Sequence, residues 1–193
     1  SDLALLSTSI VGHAQEITQD ELLQKQRELL RSGQCTELAK FCEPHTKAGN
    51  ADAAYGAHMC MATAALCAKG GITVERAGAA AVMRDSFAPK AIQNATAWVD
   101  RADKAFPNRE STLNTRIQLL LLQGDTPAII ALMRQATTAG SSVSPPPVER
   151  WMSIFASLYG RSTMDQAIAF GKALESVYPD SHKVHGSLGG AYG

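Results

Sequence analysis

The sequence VERWMSIFASLYGRSTMDQAIAFGKALESVYPDSHKVHGSLGGAYG, from Val148 to Gly193, decides the fold of this chain. It contains two segments with apolar residues at helical spacing, 148–160 and 164–178. The break at 160–163 is short and Pro179 follows the second segment, so the pattern predicts an antiparallel helical hairpin. The apolar positions are Trp151, Ile154, Phe155 and Leu158, then Ala167, Ile168, Phe170, Leu174 and Val177.

The same stretch resembles one tetratricopeptide repeat followed by the opening of another. That family has a large residue early in helix A, an alanine where the two helices touch and a closing proline, which correspond here to Trp151, Ile154, Leu158, Ala167 and Pro179. The family pattern then expects Leu-Gly-x-Ala-Tyr, which is present as Leu188, Gly189, Ala191 and Tyr192. Two features depart from it: Phe155 replaces a small residue, and Phe170 and Ala173 come one position early. The alternative is an ordinary helical hairpin.

The rest of the chain also has helical periodicity, with abundant alanine and no two-residue alternation. The segment AGNADAAYGAHM resembles the opening of a Sel1-like repeat, with Ala54, Tyr55 and Gly56 near the expected places. We therefore predict an all-α fold of stacked antiparallel helical hairpins, similar to a tetratricopeptide solenoid. Helices are expected at about 18–32, 35–47, 51–69, 73–84, 90–106, 111–123, 126–139, 148–160 and 164–178.

Local signals mark several of these boundaries. Thr18 followed by Glu21 is the pattern of a capping box, and Pro44 is expected to bend or end its helix. The proline-rich run 140–147 is interpreted as a stiff loop between repeats. The predicted domain organisation is a single helical-repeat domain over 16–193, with tetratricopeptide-like repeats over about 91–193.

Composition restricts the classes of function. The 193 residues include 18 Lys and Arg and 18 Asp and Glu, so no basic face is indicated and nucleic acid is not an expected partner. No apolar run reaches the roughly 18–20 residues that a transmembrane helix needs, so no transmembrane span is expected. No phosphate-binding glycine loop or catalytic motif is present, so we expect neither an enzyme nor a cofactor.

The N-terminal stretch LALLSTSIV at 3–11, followed by Gly12-His13-Ala14, resembles the end of a bacterial secretory signal. It lacks a positively charged segment, and Asp2 has the opposite sign. Residues 1–15 are therefore interpreted as a signal-peptide remnant, with part of the fold as the alternative. The first interpretation predicts a periplasmic or secreted protein.

The four cysteines form two pairs of equal spacing, Cys35 with Cys42 and Cys60 with Cys67. Seven residues separate the members of a pair by about 10 Å on one helix face, too far for a bond within the helix. Two such helices packed antiparallel would bring Cys42 to Cys60 and Cys35 to Cys67, so the sequence predicts a disulfide-stapled hairpin at 35–69. The alternatives are four free thiols and a zinc site that uses Cys42 and Cys60 with nearby histidines, His45 and His58.

The tetratricopeptide resemblance implies a groove lined by helix A positions that binds a protein or peptide. The binding residues implied are Asn114, Gln118, Glu149, Met152 and Lys183, with Ser111 and Ala156 beside them. The set lacks the Lys and Asn cluster that holds a peptide carboxylate, so a carboxylate-clamp co-chaperone is not expected.

The hypothesis is thus an exported protein-binding module that acts as an adaptor or as an assembly or structural component of a bacterial envelope complex. The alternatives are an envelope enzyme or metal-binding protein, or an immunity protein that neutralises a toxin. His182 and His185, three residues apart, are the weak candidate for a metal pair.

Overall fold

A computed structural model describes residues 16–70, 89–138, 147–161 and 164–192 of the chain. These residues form helices joined by short connections and contain no strand, so the all-α prediction is confirmed. The expected signal segment 1–15, the helix predicted at 73–84 and residues 140–146 of the loop predicted at 140–147 lie outside the described residues, whereas Pro147 is already the first residue of a helix. The described helices are α1 Gln19–Arg31, α2 Cys35–His45, α3 Ala51–Gly70, α4 Pro89–Ala105, α5 Glu110–Gln123, α6 Thr126–Thr138, α7 Pro147–Arg161, α8 Met164–Val177 and α9 His182–Tyr192.

Side chains and glycines define the ends of the first helices. The Thr18 hydroxyl accepts the Glu21 N–H at 3.3 Å, and the Glu21 carboxylate accepts the Thr18 N–H at 2.8 Å, which is the predicted capping box. These hydrogen bonds lower the pKa of the Glu21 carboxyl. Gly33 follows α1 with φ of 69°, a left-handed conformation that stops a helix. The Asn50 side-chain oxygen caps α3 by accepting the N–H groups of Asp52 and Ala53, each at 3.0 Å.

The hairpin of α2 and α3 carries both disulfides in the nested arrangement. Cys42 pairs with Cys60 near the turn, with 6.1 Å between the Cα atoms, and Cys35 pairs with Cys67 at the open end, with 5.5 Å. This pairing requires that the two helices run antiparallel. Helix α2 is shorter than the predicted 35–47, since it ends one residue after Pro44. Pro44 has no N–H for the carbonyl of Lys40, so the last turn of α2 lacks one hydrogen bond of the backbone ladder.

The first core lies between α1, α2, α3 and α4. Helix α3 packs against each of the other three, and the disulfide hairpin is therefore part of the core. Deeply buried side chains of this core are Leu22, Leu38, Cys42, Cys60 and Val99.

The second core is formed by the five helices from α5 to α9. Helix α8 packs against α6, α7 and α9. The largest fully buried side chains of the second core are Trp151 of α7 and Phe170 of α8. The indole N–H of Trp151 donates to the Tyr178 hydroxyl at 3.1 Å, which satisfies the polar atom of the buried ring.

The departure of Phe155 from the repeat pattern is matched by a glycine on the facing helix. A Cβ atom placed on Gly171 would lie 2.9 Å from Phe155 Cε2 and 2.5 Å from Leu188 Cδ2. Both side chains are buried in the second core. Gly171 thus leaves room for the Phe155 and Leu188 side chains where α7, α8 and α9 meet.

Helix α5 belongs to both cores. Leu119 is part of the first core, whereas Ile117 and Leu121 are part of the second. The position of α5 therefore depends on both halves of the described chain.

Candidate functional site

The five residues that the repeat resemblance implies for binding are Asn114, Gln118, Glu149, Met152 and Lys183; we call them the predicted surface. They lie on α5, α7 and α9, every second helix of the second half. Gln118 and Lys183 are exposed, whereas Asn114, Glu149 and Met152 are half-buried. The neighbouring Ser111 and Ala156 are exposed as well.

An ion pair brings two members of the predicted surface together. The Lys183 ammonium donates to the Glu149 carboxylate, which joins the first turn of α9 to the first turn of α7. The hydrogen bond from Lys183 lowers the pKa of the Glu149 carboxyl. The two residues are 34 positions apart, which is the length of a tetratricopeptide repeat.

A second contact links α7 to α5. Arg150 Nε lies 4.0 Å from the carboxylate of Glu110, the first residue of α5. The Arg150 side chain is only 14% exposed, whereas that of Glu110 is 70% exposed. The first turns of α5, α7 and α9 are therefore connected through charged side chains. The sequence marks Arg150 only through its position next to Glu149.

The two α5 members of the predicted surface have different surroundings. Asn114 Oδ1 is buried and has no hydrogen-bond partner among the described residues. Gln118, one turn further along, is exposed to solvent. Met152 packs against the second core. Gln118, Lys183 and the exposed part of Glu149 are therefore the groups that a partner reaches without rearrangement.

A cavity of about 290 Å³ lies on another side of α5, between α4, α5 and α6. Its walls are mostly apolar and include Val99, Leu119 and Leu132, with Arg116 among the polar lining residues. Arg116 is held by two carboxylates of α4, those of Asp100 and Asp103. None of the residues of the predicted surface lines this cavity.

The surroundings of the cysteines and histidines do not favour the metal alternatives. Cys42 and Cys60 are bonded to each other, so they offer no thiolate to zinc. His185 contacts oxygen acceptors with both ring nitrogens, Nε2 with the Pro179 carbonyl at 2.6 Å and Nδ1 with Glu175 at 3.1 Å. Within the described ranges, no group of three or more His, Cys, Asp or Glu residues is placed to hold a metal ion.

Among the described helices, none is both long enough and apolar enough to cross a bilayer. Comparisons of the chain with known protein families, with curated proteins and with solved structures find no match. The resemblance to tetratricopeptide and Sel1-like repeats therefore depends on the residues of this chain alone.

Proposed function

We propose that this chain is an exported helical-repeat module that binds a protein or peptide partner in a bacterial envelope complex. The observation that carries the proposal is the contact between Glu149 and Lys183, 34 residues apart, in the first turns of α7 and α9. A regular repeat would place equivalent side chains of successive helices along one surface, where an extended partner can meet them in turn.

The chemistry of the predicted surface favours a polar, mixed-charge partner. Gln118 offers an amide with two donors and an acceptor, and Lys183 and Glu149 offer one charge of each sign. The paired charges are 66% and 38% exposed, so a partner with charges of both signs can exchange with them at little desolvation cost. Such a surface gives specificity through charge pattern rather than through a large apolar area.

The disulfides support export. Cys42, Cys60 and Cys67 are buried in the first core, and no cysteine among the described residues is free. Disulfides that form part of a core are typical of proteins that fold in an oxidising compartment. A bacterial envelope with an oxidising periplasm supplies such conditions.

The proposal is tested by capture from an envelope extract with the oxidised full chain. Replacing Gln118, Glu149 and Lys183 together by alanine is expected to weaken retention of a specific partner by about tenfold, which corresponds to about 1.4 kcal/mol. The matched control replaces three exposed residues of α4, Gln93, Asn94 and Lys104, which do not belong to the predicted surface, and it is expected to retain the partner. Equal capture by both variants would contradict the assignment of the surface. A bound small molecule or metal in place of a protein would favour the envelope enzyme or metal-binding alternative.

A further inference from the structure

Five side chains join α3 to the start of α5; we call them the Tyr55 clasp. They are Asp52 and Tyr55 of α3, Phe106 and Arg109 of the connection between α4 and α5, and Thr112 of α5. The Tyr55 and Thr112 hydroxyl oxygens lie 3.0 Å apart and share a hydrogen bond across 57 positions of the chain. Tyr55 is 6% exposed and Thr112 is 2% exposed, so neither hydroxyl can exchange this partner for bulk water.

Arg109 closes the clasp from the outside. Its guanidinium donates to the Asp52 carboxylate at 2.8 Å and lies 5.1 Å from the centre of the Tyr55 ring. The Phe106 ring meets the same tyrosine edge-on, with 6.0 Å between ring centres. The connection between these residues includes Asn108 with φ of 65°, a left-handed conformation. The entry into α5 is therefore fixed at several points against α3.

The hydrogen bond of Thr112 with Tyr55 shows which side of α5 faces α3. Successive residues of an α-helix are turned by about 100°, so Asn114 lies about 200° around the helix from Thr112, and Gln118 about 240°. A hydrogen bond that holds Thr112 towards α3 consequently directs the two α5 members of the predicted surface away from α3. Rotation of α5 would move both of them at once.

From this geometry we infer that Tyr55 is a positioning residue for partner binding: through Thr112 it sets the rotation of α5 and so presents Asn114 and Gln118. The effect on a partner rests on the proposed function. The effect on the orientation of α5 does not, and it is measurable in the free protein.

The test compares Tyr55→Phe, Thr112→Val and the double variant in the full oxidised chain. Each single change leaves one buried hydroxyl unpaired, and we expect amide hydrogen exchange in the first two turns of α5 to accelerate about tenfold. The double variant replaces both polar partners by apolar groups, so its exchange rates should return to within about threefold of the wild type. Tyr178→Phe is the matched control, because it removes a tyrosine hydroxyl that accepts from Trp151 in the second core.

The double variant distinguishes a role of Tyr55 in stability alone from a role in positioning α5, because only the second predicts a changed orientation of α5. Residual dipolar couplings of the backbone amides give the orientation of α5 relative to α3. If Tyr55 positions α5, this orientation differs between the double variant and the wild type, although the stability of the variant is restored. Wild-type couplings in the double variant would overturn the inference. Changed couplings with unchanged affinity for a captured partner would support positioning of α5 and contradict its role in partner binding, because the partner would then bind elsewhere on the chain. Changed couplings with weakened affinity would support both.

Discussion

Replacing Gly171 by alanine tests the packing of the second core where the Phe155 and Leu188 side chains approach the α8 backbone closely. The new Cβ atom would lie 2.5 Å from Leu188 Cδ2 and 2.9 Å from Phe155 Cε2. Non-bonded carbon atoms prefer about 3.5–4.0 Å, so both neighbours must move. The Leu188 contact is with the end of a flexible side chain, and the Phe155 contact is with an aromatic ring. Both side chains are only 4% exposed, so the surrounding core restricts how far either can move.

Two opposing terms set the magnitude of the effect. Overpacking a core costs about 1–3 kcal/mol, whereas alanine favours a helix interior over glycine by about 1 kcal/mol. We therefore expect Gly171→Ala to lower the free energy of unfolding by up to about 2 kcal/mol. Gly186→Ala in α9 is the matched control, because a Cβ atom there meets nothing within 4 Å. That change should raise the free energy of unfolding by up to about 1 kcal/mol.

The assay is urea unfolding followed by circular dichroism with the disulfides intact, with the midpoint and slope determined for each variant. Combining Gly171→Ala with Phe155→Leu should cost less than the sum of the single changes, since the smaller side chain relieves the contact with the new methyl group. Stabilisation by Gly171→Ala of the same size as by Gly186→Ala would refute this account of the contact between α7 and α8.

Three further predictions concern the disulfides, the ion pair and the first helix cap. The disulfides close loops of 18 and 32 residues, and each disulfide alone contributes about 3–4 kcal/mol to the free energy of unfolding by chain entropy. Reduction should therefore accelerate hydrogen exchange in 35–67 before it does so in α5–α9. Because the hydrogen bond from Lys183 lowers the Glu149 pKa, Lys183→Met should raise that pKa in an NMR titration, and an unchanged Glu149 pKa would contradict the contact. The stability that the pair contributes is present above the ordinary carboxyl pKa and is lost as the pH falls through the lowered pKa of Glu149. Thr18→Ala should cost about 1 kcal/mol of stability in urea unfolding, whereas Thr18→Ser should cost little because serine keeps the hydroxyl.

Features with a local cause could be predicted from the sequence. The capping box at Thr18 depends on residues three positions apart, and the pairing of Cys42 with Cys60 follows from two helices joined by a short turn. The break between the helices predicted at 111–123 and 126–139 follows from Gly124, which has φ of 68° and separates Glu110–Gln123 from Thr126–Thr138 in the structure. In each case the residue types leave the backbone few alternatives.

Features that arise from contacts between distant side chains could not be predicted. The hydrogen bond of Tyr55 with Thr112 spans 57 positions, and periodicity marks both residues only as members of a helix. The burial of Arg150 between the first turns of α5 and α7 depends on how closely two helices approach, which the spacing of apolar residues does not specify. The sequence shows that Phe155 departs from the repeat pattern. It does not show that Gly171 on the facing helix leaves room for the Phe155 ring.

The central claim is that a partner protein binds along α5, α7 and α9. Site-specific photo-crosslinking in intact bacterial cells that export the chain tests it most directly. A photoreactive amino acid at Gln118, which is exposed on α5, is expected to give a discrete crosslinked adduct with another protein, and the same group at the exposed Gln93 of α4 is expected to give none. An adduct from Gln93 in the absence of one from Gln118, or the absence of adducts from both positions, would contradict the claim.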